Sequence, residues 1–199
     1  MKNKIRDLNI INKKNVYKGF NKINSFKFKY KLFSKKWSNV LDREIYTPRN
    51  AIALLPYDKI NNEVLLIKQF RLGAYLAGFN PIQIEIIAGN IDKNDHSPKT
   101  SVKREAEEES GLKIKIKKLR LINKILNSPG TSCEKTYIYF YECDLSNSGG
   151  IYGCKRENEE IKTFKCSLNK AMKMITHGKI NSVHSLIALN WLNEYVKND

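Results

Sequence analysis

Residues 97–112, SPKTSVKREAEEESGL, have the pattern of one short helix with two clear ends. No other segment restricts the possible folds of the chain as strongly. Ser97 is a residue type preferred at the N-cap, and Pro98 suits the first helical position. Gly111 is the type that ends a helix, because it adopts left-handed backbone angles without strain. The pattern therefore predicts a helix of about three turns between two well-defined ends.

This predicted helix concentrates acid in a chain whose formal net charge is +16. On a helix, Glu105, Glu108 and Glu109 lie on one face, and like charges at these spacings repel by roughly 0.2–0.5 kcal/mol per pair. One interpretation is a solvated face balanced by neighbouring basic residues. The other is a metal site, because clustered carboxylates without histidine or cysteine suit a hard cation such as Mg²⁺ or Mn²⁺. The spacing alone leaves both interpretations open.

Length and composition indicate a globular chain with one sizeable core, since it has 199 residues, of which 41% are hydrophobic and 28% charged. No apolar run approaches about 20 residues, so no membrane-spanning helix is expected. The basic N-terminal segment has no apolar core, so a secretory signal is not expected either. The cysteines at 133, 143, 154 and 166 form no C-x-x-C pair. We therefore expect reduced thiols in a cytoplasmic protein.

Positive charge is concentrated at the N-terminal end of the chain. Residues 1–49 hold fourteen Lys and Arg against three Asp and Glu, whereas residues 50–199 hold twenty-two against seventeen. A basic lobe of this kind is able to bind nucleic acid, a membrane surface or an anionic small molecule. Compositional bias toward lysine is the alternative, and no recognisable nucleic-acid motif accompanies the charge. Nucleic acid and membrane are therefore not the expected partners.

Hydrophobic periodicity predicts a small antiparallel sheet before residue 48. Residues 26–32, FKFKYKL, alternate apolar and basic side chains, as a half-buried strand does. The runs NVYKGF before it and LDREIY after it are predicted to pair with it. From residue 50 the runs become more strongly apolar, which marks the start of a different part of the chain.

The remainder of the chain mixes strands and helices without regular alternation. AIALLPY and EVLLIKQF, joined by DKINN, predict a hairpin, and IQIEIIAG predicts a single further strand. After the acidic helix, strands are predicted at LRLINKIL, KTYIYFYEC and IKTFKC, and helices at LNKAMKMITHG and SVHSLIALNWLNEYV. These elements predict a mixed α/β domain behind a small β lobe.

The acidic helix carries a motif that is recognisable. REAEEESGL resembles the second half of the Nudix box, whose pattern is G-x5-E-x7-R-E-U-x-E-E-x-G-U with U apolar. The matching positions are Arg104, Glu105, Ala106, Glu108, Glu109, Gly111 and Leu112. Further segments resemble the ADP-ribose pyrophosphatase branch of the Nudix hydrolases, in the same order: REIY, LLPYD, IKQFRLGAY, IEIIAG, SPGTS, RENEEI and GKINSVHSLIALNWL. On this resemblance the chain is identified as a member of that family.

The resemblance implies a fold and an assembly. The fold is the Nudix α/β/α sandwich around a mixed sheet, which we expect to comprise residues 49–199. Residues 1–48 are expected to form the N-terminal antiparallel β lobe. In this branch the N-terminal sheet is exchanged between two subunits and the adenine pocket is completed across the dimer, so a homodimer is expected.

The resemblance also implies a metal site. Mg²⁺, or Mn²⁺, would bridge the pyrophosphate oxygens and lower the pKa of a bound water. Glu105 and Glu109 would be the main ligands, with Glu108 as a further ligand or close neighbour. The backbone carbonyl of Ala88 would complete the oxygen shell. Arg104 would orient a metal-binding glutamate through a charge-assisted hydrogen bond.

The second acidic cluster is RENEE, residues 156–160. By resemblance, Glu157 would be the catalytic base and Glu159 would meet a metal. A base needs a carboxylate within reach of the attacking water, and a loop is able to bring one in. Without the resemblance, a polar surface loop is the alternative.

Arg43, Glu44 and Arg71 match positions that contact substrate in this branch. Phe20, Glu85 and Glu134 are further candidates for substrate contact. Arg71 would hold the diphosphate, and Arg43 with Glu44 would contact the adenine end. Phe20 would stack on the base, Glu85 would touch a ribose, and Glu134 would contact substrate or metal. The alternatives are surface salt bridges for the arginines and core packing for Phe20.

The box departs from the pattern at its start. Fourteen residues separate Gly89 from Arg104 where the pattern has thirteen, so the first glutamate falls on Asp95 or His96. In the family this position supports the loop more than it binds the catalytic metal. We interpret the difference as a one-residue insertion in DKNDHS. A second departure is that the turn NSPGTS holds Gly130 alone, where relatives commonly carry two glycines.

The expected reaction is Mg²⁺-dependent hydrolysis of ADP-ribose to AMP and ribose 5-phosphate. One alternative is the same reaction on another nucleoside diphosphate sugar. A second alternative is a Nudix fold that has lost catalysis and holds nucleic acid on its basic lobe. The complete set of predicted metal-binding glutamates argues against this last possibility.

Overall fold

The computed structural model describes residues 7–154 and 158–198. The chain divides into two compact units. The first joins the chain up to Arg49 with Leu126–Lys135, and the second joins Asn50–Ile125 with the residues from Thr136 onward. The division into domains at residues 48 and 49 stays a proposal based on the sequence.

The first unit contains a three-stranded antiparallel sheet in the order β1 (Leu8–Lys18), β2 (Lys22–Tyr30) and β3 (Leu41–Tyr46). The predicted small sheet is therefore confirmed, although β2 begins four residues before Phe26 and ends at Tyr30. The backbone N–H of Tyr46 donates to the carbonyl of Thr131, with an N–O distance of 2.8 Å. This bond ties the segment after residue 126 to β3.

The second unit is built on an eight-stranded sheet. Its strands are β4 (Ala51–Asp58), β5 (Glu63–Phe70), β6 (Ile82–Glu85), β7 (Ile87–Asn90), β8 (Arg120–Leu126), β9 (Lys135–Glu142), β10 (Gly150–Tyr152) and β11 (Ile161–Ser167). The order is β10-β11-β5-β4-β9-β8, with β6 paired to β5 and β7 paired to β4. The β4–β9 pair is parallel and the β4–β5 pair is antiparallel, so the sheet is mixed.

The predicted hairpin at residues 51–70 is confirmed as β4 and β5. Its turn is organised by Asp58, whose carboxylate accepts hydrogen bonds from the backbone N–H groups of Ile60 and Asn61 and from the side-chain amide of Asn61. These bonds, led by the Asn61 side chain, lower the pKa of Asp58 to about 2. Hydrogen bonds to the ionised form have this effect because they stabilise the charge.

The prediction of a single strand over residues 82–89 is wrong, because the chain changes partner at Ile86. β6 pairs with β5 whereas β7 pairs with β4. Between them, the N–H of Ile86 donates to the Ser185 hydroxyl at 3.0 Å instead of to a strand. Local periodicity does not reveal such a change, since both halves are equally apolar.

The α-helices of the described residues are α1 (Leu72–Leu76), α2 (Pro98–Ser110), α3 (Leu168–Thr176) and α4 (Val183–Tyr195). The last three pack on the two faces of this sheet. On one face, Val102 and Ala106 of α2 pack with Leu65 and Ile67. On the other face, the side chains of α3 and α4 pack with Leu55 and Leu66. This is the expected α/β/α sandwich around a mixed sheet. The five-residue α1 was not predicted, because it is too short to show a helical period.

The acidic helix α2 has the predicted ends. The Ser97 hydroxyl accepts from the N–H of Thr100 at 3.3 Å, and the Thr100 hydroxyl accepts from the N–H of Ser97 at 3.0 Å. This reciprocal pair is a capping box, which satisfies donors that the first turn leaves free. Gly111 ends the helix with a φ of 69°.

No helix within residues 7–154 and 158–198 has the length and apolarity needed to cross a membrane.

Candidate metal and diphosphate site

The acids of α2 divide into buried and exposed pairs. Glu105 and Glu109 are 9% and 3% exposed, whereas Glu107 and Glu108 lie at the surface. Because α2 packs against β7, the N–H of Ala88 donates to Oε2 of Glu109 at 3.1 Å. The solvated-face interpretation is therefore wrong for Glu105 and Glu109.

The closeness of α2 and β7 depends on Gly89. An ideal Cβ at this position would lie 2.0 Å from Oε1 of Glu105. Carbon and oxygen atoms do not approach so closely without bonding, so any side chain at residue 89 would displace the Glu105 carboxylate. Because Gly89, the first residue of the box, has no side chain, the Glu105 carboxylate occupies the space beside it.

Burial raises the pKa of both inward-facing acids. The pKa of Glu105 rises to about 7, chiefly through desolvation, which outweighs the opposing effect of Arg104. Desolvation likewise raises the pKa of Glu109 well above its usual value, and the charge of Glu105 raises it further. Both groups therefore hold their protons more tightly than an exposed glutamate does, and a positive charge entering the site would favour their ionised forms.

The Arg104 guanidinium contacts carboxylates of α2 and of the loop that precedes it. One terminal nitrogen lies 2.8 Å from Oε1 of Glu105 and donates to Oε2 of Glu108 at 2.9 Å. The other donates to the carbonyl of Asn90 at 2.9 Å and to Oδ2 of Asp95 at 3.1 Å. Burial alone would lower the pKa of Arg104, but the bond to Asp95 and the neighbouring carboxylates raise it. Its charge is thus permanent.

Asp95 anchors the loop that leads into α2. Besides Arg104, its Oδ2 accepts from the Ser101 hydroxyl at 2.8 Å and from the N–H of Asp92 at 3.0 Å. Desolvation would raise the pKa of Asp95, but these hydrogen bonds together lower it. Of the two positions on which the first box glutamate falls, Asp95 makes these loop contacts and His96 is exposed.

The acidic loop after β10 brings Glu159 close to the same acids. Its charge raises the pKa of both Glu105 and Glu109. Oε1 of Glu159 accepts a short hydrogen bond from the side-chain amide of Gln69, and Oε2 accepts from the N–H of Cys154 at 3.5 Å. Glu157, the predicted base, lies outside the described residues.

Arg71 and Glu85 form an ion pair at the end of β5. The Arg71 Nε–Glu85 Oε2 distance is 2.8 Å, and the Glu85 side chain is 7% exposed. His184 approaches the other carboxylate oxygen, with 3.7 Å between Nε2 and Oε1. Burial lowers the pKa of His184, although the charge of Glu85 opposes this. Arg71 also acts on the acidic cluster, since its charge lowers the pKa of Glu109.

The other predicted substrate residues belong to the first unit. Phe20 is 84% exposed and has the Arg49 guanidinium 5.3 Å above its ring, so it is not a core residue. Arg43 and Glu44 are exposed on β3. Glu134 accepts from the side-chain amide of Asn127 at 2.7 Å.

The donors of the second unit suit a divalent cation, although they do not form a closed cage. Among residues 7–154 and 158–198, no three His, Cys, Asp or Glu side chains are grouped closely enough to hold a metal ion as they stand. The oxygen-only donor set is nevertheless the kind that hard cations prefer. Glu105 and Glu109 are buried, and the charge of Glu105 disfavours ionisation of Glu109. A divalent ion would supply a positive charge that stabilises both ionised forms.

Two contacts at this site were missed by sequence reasoning. Gln69 has a weak signal in the sequence, because it is a polar residue in the inward phase of the apolar strand EVLLIKQF. His184 has none, since its helix is apolar on several sides and one histidine does not stand out. Both contacts join segments distant along the chain.

Comparison with known proteins agrees with this geometry. The NUDIX domain model matches residues 47–185. The chain is 36% identical to an ADP-ribose pyrophosphatase of Escherichia coli K12 over 186 residues, which are 94% of this chain and 88% of that protein. It is 33% identical to the Haemophilus influenzae ADP-ribose pyrophosphatase, over 94% of this chain and 86% of that one.

One further relative and one solved structure are also similar to this chain. A GDP-mannose pyrophosphatase of Salmonella paratyphi B is 30% identical, over 75% of this chain and 76% of that protein. The crystal structure of an ADP compounds hydrolase has a TM-score of 0.69 at 17% identity and covers 96% of this chain and 95% of that one, which shows a shared fold. On the strength of the domain match and these identities, the chain belongs to the Nudix family.

Proposed function

We propose that this protein hydrolyses the diphosphate of ADP-ribose, with water, to AMP and ribose 5-phosphate. The observation that carries the proposal is the buried pair Glu105 and Glu109 beside Arg104, in a chain similar along 94% of its length to named ADP-ribose pyrophosphatases. Burying acids without a compensating positive charge destabilises the folded state. A functional role is therefore the simplest reason for their presence.

The proposed cofactor is Mg²⁺, with Mn²⁺ as a substitute. Glu105, Glu109 and Glu159 would hold it, together with the carbonyl of Ala88, and Glu108 would be a near neighbour. When bound, such an ion lowers the pKa of a coordinated water and offsets the charge of the diphosphate. Arg104 would keep the Glu105 carboxylate oriented, which the 2.8 Å contact between them supports.

The remaining roles are binding of the substrate and removal of a proton from water. Arg71 would bind the diphosphate, and its pairing with Glu85 would hold the guanidinium in place. Glu157 would take the proton from the attacking water, a role that rests on the resemblance of RENEE alone. The residues proposed for the nucleoside and ribose ends are Phe20, Arg43, Glu44, Glu85 and Glu134.

A homodimer formed through the N-terminal lobe is part of the proposal. Every residue of β1 is exposed in the single chain, including Leu8, Ile10, Ile11 and Val16. An edge strand with so many exposed apolar side chains is the kind of surface that a second subunit covers. We also propose a cytoplasmic location, on the ground of the cysteine pattern in the sequence.

The test is a substrate panel with Mg²⁺: ADP-ribose, ADP-glucose, GDP-mannose, a dinucleotide and a nucleoside triphosphate, with products separated by chromatography. ADP-ribose should be the preferred substrate and release AMP with ribose 5-phosphate. Glu109→Gln should lower the rate by more than about 100-fold, since even indirect changes at metal sites cost 10- to 100-fold. Glu107→Gln, on the exposed side of the same helix, is the matched control and should keep the wild-type rate.

Hydrolysis of GDP-mannose is the second candidate, because the Salmonella relative carries that name. Preference for GDP-mannose in the panel would keep the mechanism and change the substrate. Folded protein that turns over nothing but binds RNA or DNA with a steep salt dependence would instead favour the nucleic-acid alternative.

A further inference from the structure

Gln69 is a polar residue at a core-facing position of β5, where apolar residues are usual. It lies on β5 in the same phase as Leu65 and Ile67, whose side chains pack in the core beneath α2. Its neighbours Lys68 and Phe70 are exposed, whereas Gln69 is 5% exposed. Burying an amide among apolar groups without a hydrogen bond destabilises the folded state by about 1–3 kcal/mol. The contacts of the Gln69 amide are therefore informative.

The nitrogen and the oxygen of the Gln69 amide differ in their surroundings. Its nitrogen donates to Oε1 of Glu159, which lies ninety residues away in the chain. Its oxygen is buried and has no hydrogen-bond partner among the described residues. Buried acceptors in folded proteins nearly always have a donor, which for such an atom is commonly a water molecule.

Glu159 needs a partner of this type to remain where it is. Its charge is felt by both Glu105 and Glu109, so the Glu159 carboxylate lies within electrostatic reach of two groups that repel it. The N–H of Cys154 is a long 3.5 Å from the second oxygen of Glu159 and contributes little. A neutral amide donor holds a carboxylate without cancelling the negative charge that a cation requires, unlike lysine or arginine.

We propose that Gln69 is a positioning residue that holds Glu159 beside Glu105 and Glu109, and that its free oxygen accepts from a water molecule in the same site. This inference deepens the proposed function, because it concerns the residues that would hold the metal. The role of Gln69 is nevertheless testable without substrate, by measuring metal affinity. Gln69 thereby links the central sheet to the loop that carries the second acidic cluster.

The experiment is a double-mutant cycle on Mn²⁺ affinity, measured by calorimetry without nucleotide. Gln69→Met keeps the size of the side chain and suits the apolar surroundings, so the fold should be retained. It should weaken Mn²⁺ binding about 10- to 100-fold, as loss of a residue that orients a ligand does. Glu159→Ala should weaken binding at least as much, and the double variant should be no worse than Glu159→Ala alone.

Gln83 supplies the matched control. It lies directly opposite Gln69 on β6 and is equally buried, but its amide donates to the carbonyl of Asn80. Gln83→Met should therefore leave Mn²⁺ affinity within about twofold of wild type. Thermal unfolding of all variants separates a loss of fold from a loss of metal binding.

The inference is overturned if Gln69→Met binds Mn²⁺ like wild type, or if it weakens binding by the same factor with and without Glu159. Absence of Mn²⁺ binding by the wild type would overturn both this role and the proposed metal site. Wild-type protein that binds Mn²⁺ but hydrolyses no ADP-ribose would refute the proposed function and leave the role of Gln69 intact.

Discussion

Residues of one type differ sharply within a single turn of α2. Glu107 and Glu108 are exposed, whereas Glu105 and Glu109 are buried and have raised pKa values. A carboxyl group whose pKa is raised in the folded state keeps its proton more tightly there than in the unfolded chain. Folding stability from such a group is therefore lost as pH rises from the unfolded pKa toward the folded one.

The raised pKa values of Glu105 and Glu109 predict a pH-dependent effect of metal on stability. Without metal, the stability that Glu105 contributes should be lost as pH rises from about 4.5 to about 7, the range between its ordinary and its raised pKa, whereas the lowered pKa of His184 acts in the opposite direction. Mg²⁺ binds the ionised form, so the rise in melting temperature on adding Mg²⁺ should grow through the same range. Melting curves at pH 5, 6, 7 and 8, in EDTA and in Mg²⁺, measure it.

The matched variant for this measurement is Glu105→Gln, which has no proton to lose at this position. Its melting temperature in EDTA should fall less than that of wild type between pH 5 and pH 8. An equal gain from Mg²⁺ at both ends of the range would contradict the pH-dependence argument.

At the scale of elements, the site depends on how α2 ends. Gly111 has a φ of 69°, and an ideal Cβ there would lie 2.8 Å from the ring of Tyr152 on β10. The N–H of Gly153 donates to the carbonyl of Glu108 at 3.1 Å, which ties the following loop to the same helix. The end of α2 and the start of the acidic loop are therefore one packed unit.

Gly111→Ala should lower the free energy of unfolding by about 1–2 kcal/mol, the usual cost of a left-handed conformation for a residue with a Cβ. Displacement of Tyr152 would add to this loss. Gly73→Ala is the matched control, because an ideal Cβ at Gly73 in α1 meets nothing within 4 Å. Chemical denaturation should show that variant as neutral or slightly stabilised, since alanine favours a helix. Equal effects of the two changes would refute this account of the helix end.

At the scale of the whole molecule, the described chain has a sheet that is incompletely covered. β1 is an edge strand of eleven residues, all of them exposed. Large apolar side chains on it include Ile10 at 55% and Val16 at 50% exposure. A single chain with this strand open to water is prone to associate, which is the physical basis of the proposed dimer.

If the wild type forms the proposed dimer, Ile10→Glu should convert it to a monomer, because the change places a charge in a surface that association would bury. Light scattering after size exclusion, at micromolar concentration, gives the mass directly. Asn9→Glu, which adds the same charge next to it on β1 without removing an apolar group, is the control. A wild-type protein that is monomeric under these conditions would contradict the proposed assembly.

The local features of the site follow from short-range patterns in the sequence. Ser97, Pro98 and Gly111 predicted both ends of α2, and four-residue spacing predicted that Glu105 and Glu109 share a face. The DKINN hairpin was predictable for the same reason. In each case the controlling interactions join residues fewer than about fourteen apart, so backbone propensity and spacing are sufficient.

The burial of particular acids, and the groups that surround them, depend on long-range packing. The closeness of Glu105 to Gly89, the contact of Gln69 with Glu159, and the pairing of Glu85 with Arg71 and His184 depend on how the sheet brings distant strands together. The break at Ile86 arises likewise from a change of strand partner. Such contacts leave little trace in a single sequence, because periodicity reports which face is apolar and not which side chains meet across it.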